Sequence, residues 1–159
     1  MKPAWVPLAE TTLASNSASA TFSSIPSGYR DLILVMNYAG SNATNSGKAF
    51  VNGDTTEGNY TSVRMRGNGS AAQSNSNGGS IRWETQSTSG SITILQFMDY
   101  SATDKHKTVL VRADSAATST EASASRWANT AAITSITVNF LGTDLTAGST
   151  LALYGSNKL

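Results

Sequence analysis

The chain's one histidine, His106, lies in the stretch MDYSATDKHKT (98–108), beside a serine, two aspartates and two lysines. These are the residue types of nucleophilic hydrolysis: Ser101 as nucleophile, His106 as base, and Asp99 or Asp104 to orient the imidazole. The spacing argues against that use, because a triad is a matter of geometry and neighbours on one short turn rarely converge. No Gly-x-Ser-x-Gly elbow presents a serine, and one histidine without cysteine does not assemble a common zinc site. The competing reading is a strand–turn–strand connection, ILQFMDY leading in and KTVLV leading out, with its charges gathered at a hydrated tip. That reading is preferred, and no catalytic residue is assigned.

Other patterns are weaker. GSNATNSGK resembles a phosphate loop, but Gly40 and Gly47-Lys48 are too far apart for the G-x-x-x-x-G-K-[ST] spacing. Asn52, Asp54, Glu57 and Asn59 offer oxygen ligands for calcium without EF-hand spacing, and a plain turn is the simpler reading. No metal or cofactor is expected. A depolymerase would need two carboxylates facing a cleft. Asp31, Asp54, Glu57, Glu84, Asp99 and Asp104 fall near turns without an identifiable pair.

The aromatic and arginine residues have three readings: a buried core, a protein interface and, last, stacked tryptophans that bind sugar. Trp83 follows Arg82, Trp127 follows Arg126, and Arg64 and Arg66 share one face of a strand. Arg and Trp together make interface cores, whereas buried aromatics dominate β-sheet cores. For both tryptophans the core is preferred. Trp5, Arg64, Arg66, Trp83, Arg126 and Trp127 are the candidate contact residues if the chain docks on a partner.

The elements that carry these residues follow from periodicity. In ITSITVNF, Ile136, Val138 and Phe140 take one face while Thr137 and Asn139 take the other, as in a half-buried strand. Val109 with Val111, and Leu151 with Leu153, repeat the pattern. DLILVMNY and SITILQFM are more continuously apolar, which predicts central strands covered on both faces. SATF (19–22), KAFV (48–51), SVRMR (62–66), SIRWE (80–84) and ASRWA (124–128) are further strand candidates. Asn52-Gly53-Asp54, Pro26-Ser27-Gly28 and Gly142-Thr143-Asp144 supply turns. Segments 67–80 and 113–125 read as loops. No stretch keeps a helical repeat, so the expected fold is an all-β, antiparallel β-sandwich, a jelly roll in a single domain. The domain is placed at 8–159. Residues 1–7, MKPAWVP, are set apart as an arm, either a hook ordered on docking or the start of a strand.

Composition bounds the partners. The 159 residues fit one domain with a real core. Charged residues are 13%, roughly half the usual ~25%. The net charge, 11 − 10 = +1, gives no field for nucleic acid or an acidic membrane. Cysteine is absent, which excludes disulfides and thiolate metal sites. The start lacks the apolar core of a signal peptide, and the run LILVM (32–36) is far too short to span a bilayer. A soluble protein without an export signal is expected.

Five stretches together are similar to a family of small jelly-roll-like structural proteins of tailed-bacteriophage virions: SSIPSGYRDLILV, FVNGDTTEGNY, MDYSATDKHKT, RWANTAAITSITV and LTAGSTLALYG. They occur in that order from Ser23 to Gly155. The resemblance implies a non-enzymatic virion component made in the host cytoplasm, with His106 a scaffold or contact residue. A capsid decoration (cement) protein is the preferred form, binding the major capsid protein and copies of itself, as a trimer for instance. The alternative it leaves is a tail-tip or tail-fibre domain that binds a host glycan. Loops 40–48, 67–80 and 113–125 match no family motif and are where partner specificity is expected.

Overall fold

The computed structural model describes residues 4–42, 45–85, 88–115 and 119–157. Twelve strands lie among them. In chain order they are β1 (Trp5–Thr12), β2 (Ser19–Phe22), β3 (Leu32–Tyr38), β4 (Asn45–Val51), β5 (Tyr60–Gly67) and β6 (Ala72–Gly78). There follow β7 (Ile81–Thr85), β8 (Ser91–Met98), β9 (Lys107–Ser115), β10 (Ser119–Trp127), β11 (Ile136–Phe140) and β12 (Thr150–Ser156). One 3-10 turn, Glu57–Asn59, precedes β5.

The strands make two sheets, ordered β1-β12-β3-β8-β9-β10-β5-β6 and β2-β11-β4-β7. Every pairing between them is antiparallel. Setting β5, β6, β9 and β10 aside leaves β1-β12-β3-β8 against β2-β11-β4-β7. Those two four-stranded sheets, with the chain alternating between them except from β4 to β7, are wound as a jelly roll. The pair β5–β6 enters between β4 and β7, and β9–β10 between β8 and β11, so both inserts lengthen the first sheet.

Period-two alternation builds the core. Leu32, Leu34, Met36 and Tyr38 of β3, with Leu95 and Phe97 of β8, point toward Ala49, Val51, Ile81, Ile136 and Val138 of the small sheet, and all are buried. Trp83 is fully buried, its indole N–H donating to Tyr38 Oη at 3.2 Å and its ring edge-on to Phe140. Gly47 on β4 makes room for it: a Cβ there would fall 2.1 Å from the indole. Trp127 is buried as well. Both tryptophans therefore belong to the core, and their place among the contact candidates is corrected.

Four boundaries also differ from expectation. The strand β1 begins at Trp5, paired with Ser156, so residues 5–7 belong to the sheet and not to a separate arm; residues 1–3 lie outside the described residues. Pro7 is tolerated because β1 is an edge strand. Segment 67–80 contains β6, paired with β5 from Thr61↔Gly78 to Gly67↔Ala72. Segment 113–125 is the turn region of the β9–β10 hairpin, strand on both sides of residues 116–118, which lie outside the described residues. Within 40–48, β4 already starts at Asn45.

Candidate functional site

His106 sits exposed in the turn between β8 and β9, the connection expected. The triad partners do not gather on it. Asp99 pairs with Lys105 Nζ at 3.4 Å, and the Ser101 hydroxyl donates to the Tyr29 carbonyl at 3.5 Å. Among the described residues no group of three His, Cys, Asp or Glu side chains is placed to hold a metal ion. The neighbour Lys107 is fully buried, and its ammonium donates to the carbonyls of Lys105 (2.9 Å) and Thr130 (3.1 Å). Burial lowers its pKa. It is a cross-link between the turn and the segment after β10.

The stretches FVNGDTTEGNY and RWANTAAITSITV converge on another set of cross-links. Asn52 and Gly53 both have positive φ, and Asp54 N–H closes the turn on the Val51 carbonyl. The Asn52 side chain donates to the Ala132 carbonyl and accepts from the amides of Thr134 and Ser135. Asp54 accepts from the Trp127 indole (2.7 Å), the Asn59 amide (2.8 Å) and the Thr56 backbone N–H (3.0 Å). The indole bond leads in holding its pKa down at about 2. Tyr60 donates to the Asp54 carbonyl, and burial pushes its phenol up to about 12. The Asp54 oxygens considered for calcium are thus occupied by donors from the chain itself.

A second polar group lies inside the sandwich. Arg64, one of the contact candidates, is 6% exposed. Arg64 Nη1 meets Glu84 Oε1 at 2.6 Å, Arg64 Nε lies 3.7 Å from Glu121 Oε2, and half-buried Arg66 pairs with Glu84. Burial pushes the Glu121 carboxyl up to about 7, against the pull of Arg64. Glu84 and Glu121 are a pair of acids that the sequence reading did not find. Two guanidiniums are spent on them.

The reason polar groups face inward here is the neighbour they meet. The inner face of β5 and β10 passes over β7, the edge strand of the small sheet, where the backbone groups pointing away from β4 have no ladder partner. Ser62 donates to the Ser80 carbonyl, Ser123 to the Arg82 carbonyl, and the Glu84 N–H reaches Glu121 Oε2. The inserts close that edge with side chains. This assigns Arg64 and Arg66 to the fold and removes them as exposed docking anchors.

With the charges inside, β5 turns its apolar residues out: Val63 is 54% and Met65 64% exposed. They belong to a larger surface, the outer face of the eight-stranded sheet. The registers place Tyr154, Ile33, Gln96, Leu110, Ala124 and Val63 in one cross-strand row. A parallel row holds Ala152, Val35, Ile94, Arg112, Ala122 and Met65. Ile92 (52% exposed), Met98 and Trp5 extend the apolar character, and Arg126 stands on the same face. Between Trp5, Tyr154, Leu110 and Arg112 lies a depression of about 490 Å³ floored by Ile33, Val35, Ile94 and Gln96. The strands expected to be covered on both faces are covered on one. Of the six contact candidates, Trp5 and Arg126 are exposed on this face.

No protein-family model matches the chain, and no curated relative matches it. Among solved structures, galectin LEC-6 of Caenorhabditis elegans aligns at 8% identity over 94% of this chain and 96% of the other, with a TM-score of 0.39. Sucrose-6-phosphate hydrolase of Lactobacillus gasseri aligns at 8% identity over 89% of this chain, with a TM-score of 0.38. The chain spans 28% of that hydrolase's length.

Proposed function

We propose that the chain is a non-enzymatic structural protein of a tailed-bacteriophage virion, a capsid decoration protein that docks on the head shell through the outer face of its large sheet. The observation that carries the docking is the uncovered apolar surface: Ile33, Val35, Ile94, Leu110 and Met65 project from one side of a sheet whose other side is already packed. Such a face is a liability in a free protein and an asset in an assembled one. The phage assignment itself is supported by the five ordered stretches between Ser23 and Gly155. Binding only to the folded form would stabilise both shell and ligand by mass action. Contacts between copies on the shell belong to the same proposal.

The test uses heads lacking the protein. Wild type is added alongside the double variant Met65→Glu, Leu110→Glu, whose positions are exposed and whose change leaves the core untouched. Wild type should fill the heads and raise their heat resistance, while the variant keeps its β circular dichroism and fails to bind. Equal occupancy by both removes the sheet face as the docking surface. Binding of wild type to tails or host cells and not to heads replaces the decoration reading with the tail one.

A further inference from the structure

The centre of the docking face carries a charge that forms no ion pair with any described residue. Arg112 is exposed at the centre of the sheet, with Ile94 opposite on β8 and Ala122 opposite on β10. It makes no hydrogen bond or ion pair with any described residue. The acid nearest along the same face of its strand, Asp114, is engaged: its Oδ1 accepts the Ile92 N–H at 2.6 Å. A guanidinium covered by an apolar partner without a counter-ion would be desolvated at a cost of several kcal/mol. A partner that buries this face must therefore bring an anion to Arg112.

We propose that Arg112 anchors a carboxylate side chain, Asp or Glu, carried on an otherwise apolar extended segment of the partner protein. This rests on the docking reading above and specifies its partner. A planar guanidinium takes a carboxylate in a two-point fork. The Gln96 amide, which lies across from Leu110 and diagonal to Arg112, stands beside the anion. Trp5, Tyr154 and Leu110 wall the depression and receive the apolar flanks of the segment. The row from Tyr154 to Val63 crosses six strands, about 24 Å at ~4.8 Å per strand spacing. That length suits a polypeptide and exceeds a small acid.

The probe is the acetylated, amidated pentapeptide Val-Leu-Glu-Leu-Val, with its Gln counterpart and 4-phenylbutyrate as comparisons. Each is titrated into the full chain while nuclear magnetic resonance follows the Trp5 indole and Gln96 side-chain signals. The Glu peptide should shift these signals and bind about five- to tenfold more tightly than the Gln peptide, the range of a partly exposed charge-assisted contact. In Arg112→Gln, whose other signals stay in place, that difference should vanish. Equal binding of the two peptides by wild type, or shifts away from this face, overturns the inference. Tighter binding of 4-phenylbutyrate overturns it in favour of a small-molecule site. On undecorated heads, Arg112→Gln should bind more weakly than wild type. If it binds equally while Met65→Glu, Leu110→Glu fails, the inference falls and the docking face stands; if both variants bind as wild type, the docking reading falls.

Discussion

The Trp127 indole N–H donates to Asp54 Oδ2 at 2.7 Å, joining the end of β10 to the turn after β4 across 73 residues of chain. The partners come from the stretches NGDTTEGNY and RWANTAAITS. The bond makes Asp54 a structural anion.

Its carboxyl titrates near 2 in the folded chain against an ordinary 3.8, so its contribution is fully present above about pH 4 and is lost as pH falls through 2. Asp54→Asn keeps the shape and removes the charge. We expect a loss of about 1–3 kcal/mol at pH 7, as for other hydrogen bonds to a charged group. Urea denaturation at pH 7, 4 and 2.5 checks it: the gap between wild type and variant should narrow at the lowest pH.

Glu121 predicts the opposite slope. Its folded pKa, about 7, lies above the ordinary 4.5, so the folded chain holds a proton that the unfolded chain releases between those values. Stability from this group is complete below about pH 4.5 and is lost as pH rises through 7. Glu121→Gln, a neutral mimic, should flatten that decline, so that the variant gains on wild type between pH 5 and 8. Denaturation midpoints across that range are the measurement. A gap that widens in the other direction would show that Arg64 dominates the site.

Two neighbours in KHKT should behave differently. His106 is exposed and bonds to no other described residue, so His106→Ala should change stability by less than about 0.5 kcal/mol, as at ordinary surface positions. Lys107→Met fills the same buried stem but leaves the carbonyls of Lys105 and Thr130 without their donor. A loss of roughly 1–3 kcal/mol follows for hydrogen bonds made by a charged group. Thermal melts of the two variants against wild type decide between them.

What the sequence made legible was set by where apolar residues alternate. Ile136, Val138 and Phe140 announce β11, and LILVM and SITILQFM announce the central strands, because burial on one side imposes period two or denser. The strand β6, AQSNSNG, shows no such signal, since almost all of its residues face solvent and only the ladder to β5 holds it. SVRMR was ambiguous between its two faces. Exposed arginines are the ordinary outcome, and it takes the open edge of β7 to reverse them. The outer face had a signal after all. Ile33, Val35, Ile92 and Ile94 make those strands apolar on both sides, and no described residue packs over the outer one.

The positions of β11 and β12 bear on how the chain comes to be folded. They are the last two strands of the twelve, yet each lies inside its sheet: β11 between β2 and β4, β12 between β1 and β3. During synthesis, then, β1 and β2 leave the ribosome long before the strands they pair with, and Trp5 waits for Ser156. Pairings so distant in sequence are slow to form. A nascent chain halted after β10 would expose the unpaired flanks of β3 and β4, both lined with core residues. The ladders of β1 and β2, and with them the closure of both sheets, must wait for the last two strands. The low-charge Ser, Thr and Asn segments between the apolar runs have to keep the waiting chain dispersed until its final strands arrive.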